Sequence, residues 1–340
     1  MFKKIILLLF VVSFASLKDA KAQDPAFSQF FANPLYLNPA MAGSDICPRI
    51  SLNHRNQWPG IGKTYVTYSA SYDQFVDRLG GGIGFGIAKD VAGAGDLNTT
   101  HINATYSYRL QVSKKFVVNA GFEAAYRQLG IDWGQLTFGD QIDPIQGFIY
   151  PTNEDIANYE SDKGFADFAA GFMAFGDANN KIGYYFGFAA HHITRPDQGF
   201  ITESRLPMKM TANVGASIPL NQFGTYRTNS RNRSKKAAIL SPNVLFQKQQ
   251  DFMQINYGVY VTKGPIVGGM WLRQSAENFD SFILLLGLEQ DSWRFGYSYD
   301  VTISSLNNSN TQGAHELSFA YRLPCTFRGK SFDTINCPNF

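Results

Sequence analysis

The fold is decided by residues 100–110, which read THINATYSYRL. Successive side chains of an extended strand point to opposite faces, so a period of two separates this stretch into two sets. One set is apolar or aromatic and the other is mainly polar. The first contains Ile102, Ala104, Tyr106 and Tyr108, and the second His101, Asn103, Thr105, Ser107 and Arg109. The pattern predicts a β-strand with one apolar face and one polar face.

The same alternation recurs along the chain. Clear examples lie at residues 115–127, 208–218, 293–302 and 316–323, and weaker ones fill the gaps. The total is about fourteen strands, and most have the ~9–14 residues that cross a bilayer at a strong tilt. We therefore predict an all-β fold, a single closed antiparallel transmembrane β-barrel.

Composition separates this fold from other classes. Only 17% of the 340 residues are charged, against about 25% in an ordinary soluble protein. Aromatic residues reach 15%, which favours the aromatic girdles of a lipid-facing barrel over the Val, Ile and Leu core of an exported β-sandwich, the alternative fold. No later stretch approaches ~18 uninterrupted apolar residues, which excludes a helical membrane protein. The net charge of +3 is too small to indicate a nucleic-acid partner.

The first residues are typical of an export signal. Lys3 and Lys4 precede an apolar stretch at residues 5–14, and Ala20 and Ala22 form a small-x-small cleavage site. We expect the protein in the outer membrane of a Gram-negative cell, surrounded by lipid, with both termini in the periplasm. The expected organisation is a signal peptide (1–22), an N-terminal periplasmic or plug segment (23–46), the barrel (47–323) and a periplasmic tail (324–340).

The inward positions of the predicted strands carry charges of both signs. They are Arg55, Asp73, Arg109, Glu123, Arg127, Asp167, Lys209, Arg273, Glu289, Arg294, Asp300, Glu316 and Arg322. A diffusion porin separates such charges or keeps one sign in excess, whereas a mixed lining can pair its charges around a polypeptide. Residues 23–45 and the long loop at 130–163 are the two candidates to fill the lumen. The alternative is that both are ordinary solvated loops.

The chain contains three cysteines, Cys47, Cys325 and Cys337. Cys47 opens the first strand and Cys325 follows the last, and those strands are neighbours where a barrel closes. All three thiols therefore lie near one rim, in an oxidising compartment. We predict one disulfide there, involving Cys337 and fixing the tail, with three unpaired thiols as the alternative.

The sequence offers little that suggests catalysis. His191 and His192 are adjacent, so in a strand they would face opposite sides and could not chelate together. His101 and His315 stand alone, without a G-x-S-x-G motif nearby. We expect no catalytic residue, no bound metal and no cofactor, and a lipid-hydrolysing barrel is the enzymatic alternative.

One loop concentrates oxygen ligands. They are Asp140, Asp143, Asn153, Glu154 and Asp155. A calcium ion is one interpretation, although the spacing lacks the D-x-[DN]-x-[DN]-G pattern of calcium loops. The other interpretation is a solvated loop in which Asp140 caps a turn at Gly139 and Pro144 ends the segment.

Short motifs stand in order along the chain. They read FSQF at 27–30, NPA at 38–40, RNQW at 55–58 and FGDQ at 138–141. In order and spacing they resemble the PorP/SprF family of the Bacteroidetes type IX secretion system, over the whole mature chain. This resemblance implies an outer-membrane β-barrel that serves type IX secretion or gliding motility.

We interpret such a barrel as a non-enzymatic docking or anchoring platform. Its partners would be secreted surface proteins such as an adhesin, or periplasmic subunits of the secretion machine. The alternative is a porin-like transport channel. The residues expected to bind the partner or to fill the lumen are Asn38, Pro39, Ala40, Arg55, Gln57, Trp58, Trp133, Phe138, Gly139, Asp140, Gln141, Asp143 and Pro144.

Overall fold

Sixteen strands are present in the computed structural model, which describes residues 24–62, 65–93, 97–178, 182–220, 238–276, 278–304 and 308–325. They are β1 (Arg49–Gln57), β2 (Tyr65–Val76), β3 (Gly81–Ala92), β4 (Leu97–Ser113), β5 (Phe116–Gly130), β6 (Ile142–Asp143), β7 (Gly147–Phe148), β8 (Asp162–Ala178), β9 (Ile182–His191), β10 (Lys209–Pro219), β11 (Ile239–Gln249), β12 (Phe252–Lys263), β13 (Ile266–Ser275), β14 (Phe279–Glu289), β15 (Trp293–Thr302) and β16 (Ala314–Arg322).

Fourteen of these strands form one closed antiparallel barrel. Each barrel strand pairs with its neighbour in the chain, and β1 pairs with β16 to close the ring. The remaining two strands, β6 and β7, form a small hairpin within the connection from β5 to β8. The predicted fold class and strand number are therefore confirmed.

The helices are short and lie outside the strands. Single α-helical turns occur at Pro34–Leu37 and Asn308–Thr311, and 3-10 turns at Phe30–Ala32, Pro39–Met41, Pro59–Ile61, Asp77–Leu79, Trp133–Gln135, Gly139–Gln141 and Ile156–Asn158. Within the part of the chain that the structure describes, none of the helices has the length and apolarity needed to cross a membrane.

The two faces of the sheet separate as the alternation predicts. In β4, Thr105 and Ser107 are 5% and 1% exposed, whereas Tyr106 and Tyr108 are 41% and 49% exposed. Polar side chains therefore line the interior and aromatic side chains cover the outer wall. A barrel in lipid needs an apolar outer wall, and this wall has one. It also needs every strand edge to be paired, and the closed ring satisfies that requirement.

The interior contains the predicted charges of both signs. Those that are buried are Arg55, Asp73, Glu123, Arg127, Asp167, Lys209, Arg273, Asp300 and Glu316. They are paired, for example Arg49 Nε with Asp73 Oδ1 at 2.9 Å and Arg127 Nε with Asp167 Oδ2 at 2.9 Å. Pairing offsets the cost of removing these charges from water.

The two ends of the barrel differ. The terminus rim carries Pro48, Leu323 and tight turns such as residues 114–115 and 264–265, and the loop rim carries the connections at 131–161 and 192–208. The two longest described connections lie at the loop rim, which also carries the tight turn at residues 250–251. Residues 221–237, which follow β10 in the chain, lie outside the described residues, as do the predicted signal (1–22) and the tail beyond residue 325.

A disulfide closes the seam of the barrel at the terminus rim. It joins Cys47, before β1, to Cys325, after β16, with a Cα–Cα distance of 4.8 Å. The expected participation of Cys337 is therefore wrong, because its two candidate partners bond to each other. Cys337 itself lies outside the described residues. The bond connects the two strands whose pairing completes the ring.

Candidate functional site

The N-terminal segment (residues 24–47) runs through the barrel from one rim to the other. At its start, Asp24 Oδ2 lies 2.8 Å from Nε2 of His192, which follows β9 at the loop rim. At its end, Asp45 Oδ2 accepts a hydrogen bond of 2.8 Å from Nε of Arg322, the last residue of β16. The expectation that both chain ends share one rim is therefore wrong for the described N-terminal end.

Most of this segment is withdrawn from solvent. From Phe27 to Gly43, all residues except Ala32 and Tyr36 are buried. Phe30 packs edge-on against Trp271 of β13 at 4.8 Å between ring centroids, and Phe31 edge-on against Tyr185 of β9 at 5.6 Å. Apolar side chains of the segment thus pack against two separate strands of the barrel wall.

Two prolines and one asparagine shape the segment locally. Pro34 and Pro39 occupy first turns of short helices, where the missing N–H of proline is no loss. Asn38 precedes the second turn, and its Oδ1 accepts a hydrogen bond of 2.9 Å from the N–H of Ala40. These residues turn the chain repeatedly, so that the segment is compact where it packs against the barrel wall.

The FSQF motif anchors the segment near the loop rim. The N–H groups of Ser28 and Gln29 donate to the two carboxylate oxygens of Glu316, at 2.7 and 3.0 Å. The Gln29 side chain donates to the Glu316 carbonyl oxygen at 2.9 Å and accepts from Ser318 Oγ at 2.6 Å. The motif therefore pairs with β16 through both its backbone and its side chains.

A cluster of four buried charges surrounds the Ser28 hydroxyl. Ser28 Oγ donates to Asp300 Oδ2 at 2.6 Å and accepts from Arg55 Nη1 and Arg273 Nη2, each also at 2.6 Å. Arg55 further bonds Asp300 at 3.0 Å and Glu316 at 3.1 Å. This arrangement gives Arg55 of the RNQW motif a partner on the segment and two partners on the wall.

The other residues of the RNQW motif lie at the loop rim. Gln57 Oε1 accepts from Arg55 Nη2 at 3.3 Å. Trp58 has a left-handed backbone conformation (φ 59°), its N–H donates to the Gly313 carbonyl at 2.8 Å, and its ring packs edge-on against Tyr65. The motif thus joins the buried charge cluster to the turn that leaves β1.

The NPA motif anchors the middle of the segment on β8 and β9. Asn38 Nδ2 donates to the carbonyl oxygens of Phe172 and Phe188, at 3.1 and 3.2 Å. Gly171 lies beside this asparagine, and a Cβ there would collide with Asn38 Oδ1. A small residue is therefore required on the wall where the amide approaches it.

Ala40 anchors the same turn on β4 and β5. Its carbonyl oxygen accepts from Ser107 Oγ and Asn119 Nδ2, each at 3.2 Å. A Cβ at Gly121 would collide with the backbone of Pro39 and Ala40. Two other lumen-facing glycines also leave room for the segment. A Cβ at Gly82 would collide with the backbone of Ala42, and a Cβ at Gly84 with the side chain of Leu35.

A second buried charge cluster holds the start of the segment. His192 lies between two carboxylates, with Nδ1 2.7 Å from Asp167 Oδ2 and Nε2 2.8 Å from Asp24 Oδ2. Arg127 Nε bonds Asp167 at 2.9 Å, and Lys209 Nζ lies 3.7 Å from Asp24. The negative charges of Asp24 and Asp167 therefore lie beside the positive charges of Arg127 and Lys209.

Sequence reasoning missed the role of His192. Strict alternation places His191 and His192 on opposite faces, but both are buried. His192 follows the end of β9 and has φ 56°, which turns its ring back into the barrel. The neighbouring charges at Asp167 and Lys209 were visible in the sequence, but their convergence on His192 depends on this turn.

The loop from β5 to β8 lies outside the lumen. None of its described side chains is buried, so the suggestion that residues 130–163 fill the barrel is wrong. Trp133 anchors the loop through an Nε1–H bond of 2.9 Å to the Glu160 carbonyl and through edge contacts with Tyr159 and Phe200. The loop instead forms a surface on the loop rim.

The FGDQ motif folds this loop upon itself. Gln141 Oε1 accepts from the N–H of Phe138 at 2.8 Å across the turn at Gly139. Asp140 accepts from Thr152 Oγ1 at 3.1 Å and from the N–H of Asn153 at 2.6 Å. The motif therefore stabilises the loop by internal hydrogen bonds.

Asp143 and Pro144 form the start of the β6–β7 turn. Asp143 Oδ1 accepts from the N–H groups of Ile145 and Gln146, each at 2.8 Å, and these bonds lower the pKa of its carboxyl. Pro144 lies exposed between Asp143 and Ile145. The charged carboxylate thus fixes the tip of the hairpin.

The acidic side chains of this loop do not converge. Asp140 and Asp143 serve the bonds above, Glu154 accepts from Tyr159 Oη at 2.8 Å, and Asp155 accepts from Asn158 Nδ2 at 2.7 Å. No group of three or more His, Cys, Asp or Glu residues arranged to hold a metal occurs in the described part of the chain. The calcium interpretation therefore finds no ligand set here.

The adjacent connection from β9 to β10 is fixed by Asp197. Its Oδ2 lies 2.6 Å from Lys163 Nζ, and its Oδ1 accepts from the N–H groups of Ser204 and Gly199. The bond from Lys163, followed by these N–H groups, lowers the pKa of Asp197 to about 2. The carboxylate is therefore ionised at any physiological pH, and it holds the β9–β10 connection to the start of β8.

Solved structures with similar barrels are far from this chain in sequence. The KdgM porin is 7% identical with a TM-score of 0.38, covering 81% of this chain and 99% of the porin. Omp33 of Acinetobacter baumannii is 6% identical with a TM-score of 0.41, covering 82% and 99%. The CymD monoaromatic hydrocarbon channel is 11% identical with a TM-score of 0.40, covering 89% and 95%.

A comparison with curated proteins gave no match. The family comparison is more informative. The family described as type IX secretion system membrane protein PorP/SprF matches residues 19–321, and this range includes the N-terminal segment (24–47) and all fourteen barrel strands apart from Arg322, the last residue of β16. The chain therefore belongs to the PorP/SprF family of type IX secretion system membrane proteins.

Proposed function

We propose that this outer-membrane barrel is a non-enzymatic docking platform whose lumen is closed by its own N-terminal segment. Its partners are secreted surface proteins that it anchors, or periplasmic subunits of the secretion machine. The observation that carries the proposal is the burial of residues 27–43, which bond to strands on every side of the barrel. A lumen occupied in this way leaves the rims as the surfaces available to a partner.

The loop rim supplies the stronger candidate for a docking surface. Ile145 at the hairpin tip is 93% exposed and Phe148 is 63% exposed, and Ile142, Ile149 and Tyr150 are exposed beside them. Contiguous exposed apolar side chains on an internally bonded frame are typical of protein interfaces. We assign this rim to the cell exterior and the terminus rim to the periplasm.

Replacing the apolar hairpin tip is expected to abolish partner capture. The double variant Ile145→Ser with Phe148→Ser removes the two most exposed apolar anchors but keeps the Asp143 turn. Because a few apolar anchors provide most of the binding energy at an interface, we expect the co-purified partner to fall at least about tenfold. The measurement is affinity purification from the native outer membrane, with quantitative mass spectrometry of co-eluting proteins.

The matched control is Leu79→Ser. Leu79 is 49% exposed in the turn at Asp77–Leu79, so this change removes an exposed apolar side chain at the opposite rim. Unchanged capture by the hairpin variant would contradict docking at the loop rim. Loss of capture with the Leu79 variant alone would instead assign the partner to the terminus rim.

A further inference from the structure

The outer wall formed by β1, β2 and β3 carries one exposed lysine, Lys89. Lys89 faces outward and lies three residues before Ala92, the end of β3, about 10 Å along the strand at ~3.3 Å per residue. It forms no ion pair with any residue that the structure describes. A lysine on the lipid face costs more free energy the deeper it lies, so this position favours an anionic partner.

Strand register extends this position into a polar row. Lys89 lies opposite Tyr68 of β2, and Tyr68 lies opposite His54 of β1. The His54 and Tyr68 rings stack with centroids 4.8 Å apart and planes 30° apart. His54 Nδ1 is buried and has no hydrogen-bond partner among the described residues. The row therefore offers a cation and two ring faces to a ligand in front of the wall.

An apolar row lies two residues nearer the terminus rim. Ile87 lies opposite Ala70, and Ala70 opposite Leu52, followed by Phe319 and Phe295. Both rows line one groove of about 470 Å³ on the outer wall. Because Ala70 is small, the wall is recessed between Ile87 and Leu52. The groove is thus polar toward the loop rim and apolar toward the middle of the barrel.

This polarity matches an amphiphile whose head lies at the loop rim and whose acyl chains point to the bilayer centre. We propose that the groove binds one phosphorylated, multiply acylated glycolipid of the outer leaflet. Its phosphate binds Lys89 Nζ, its sugar lies near His54 and Tyr68, and an acyl chain occupies the recess over Ala70. The choice of the outer leaflet rests on the proposed orientation of the loop rim, whereas the groove itself is independent of the docking role.

The test is a titration of the purified full-length barrel with lipid A, followed by native mass spectrometry from detergent. Lys89→Gln removes the charge, and Ala70→Phe fills the recess while Lys89 stays in place. Lys248→Gln is the matched control, because Lys248 is also exposed on a strand but lies on β11, outside this groove. Phosphatidylethanolamine serves as the reference lipid.

We expect wild type and Lys248→Gln to retain one lipid A in preference to phosphatidylethanolamine. Both groove variants should bind it about tenfold more weakly, since each loses either a charge-assisted hydrogen bond or the acyl contact. Equal retention by Lys89→Gln, or no preference over phosphatidylethanolamine in the wild type, would overturn the assignment and leave ordinary annular lipid. Heat-modifiable migration on gels establishes that each variant is folded.

Discussion

Deleting residues 24–43 is expected to turn a closed barrel into an open one. The walls that face the segment combine many polar and charged side chains with one apolar cluster around Trp271, so water can replace the segment along the polar part once it is absent. The deletion keeps Cys47 and hence the disulfide to Cys325 at the seam. Liposomes that contain the variant should swell in small sugars at least an order of magnitude faster than liposomes that contain the wild type.

This experiment requires that the deletion variant is folded, so its fold is checked first. Heat-modifiable migration on gels shows whether the deleted barrel has closed, and only the folded fraction is reconstituted. A less drastic variant, Gly121→Val, keeps the segment but introduces side-chain atoms where Pro39 and Ala40 pass. Gly268→Val is the matched control for Gly121→Val, because a Cβ at Gly268 meets no atom within 4 Å. A folded deletion variant that swells no faster than wild type would contradict a lumen closed by this segment.

Arg55→Ala is expected to produce the largest loss of stability from a single substitution. Arg55 is 3% exposed and bonds Ser28, Asp300 and Glu316. Its removal leaves buried carboxylates without one of their cations, a change that costs about 3–5 kcal/mol of unfolding free energy. Urea unfolding in detergent, followed by tryptophan fluorescence, measures the loss.

Two variants isolate the cause of that loss. Arg205→Ala breaks an arginine–carboxylate pair whose side chains are 71% and 64% exposed, so it should change stability by about 0–1 kcal/mol. Arg55→Met combined with Glu316→Gln removes one charge of each sign and should recover part of the lost stability. An Arg55→Ala variant as stable as Arg205→Ala would show that the buried cluster contributes nothing.

The sequence predicted the barrel because its signal is local and repeated. Alternation such as that of Thr105, Tyr106, Ser107 and Tyr108 specifies which side chains face inward before any pairing is known. The same period-two alternation predicted that Arg55, Asp300 and Glu316 face the lumen, but it could not predict which of them form ion pairs with each other.

The course of the N-terminal segment could not be predicted in the same way. Its contacts join residues far apart in the chain, as Ser28 with Glu316, and the segment has no period that reports its neighbours. The suggestion that the 130–163 loop enters the lumen failed for a related reason. The apolar character of Ile145 and Phe148 favours burial, whereas both side chains are exposed on a hairpin in the structure.

Two further errors have local causes. His192 was expected to face away from His191, but its positive φ breaks the alternation at the end of β9. The choice among three cysteines depends on Cα separation across the closed seam, which the sequence does not encode directly. In the structure Cys47 and Cys325 are 4.8 Å apart at their Cα atoms, within the range that a disulfide spans.

We propose that the barrel, occupied by its own N-terminal segment, acts as a platform instead of a channel. Planar-bilayer recording of the purified wild-type protein distinguishes these two roles. We predict insertion without a steady open current, because ion pairs and apolar side chains fill the lumen between Asp24 and Gly43. A large, stable conductance from wild-type protein of verified fold would contradict the account and favour a transport channel.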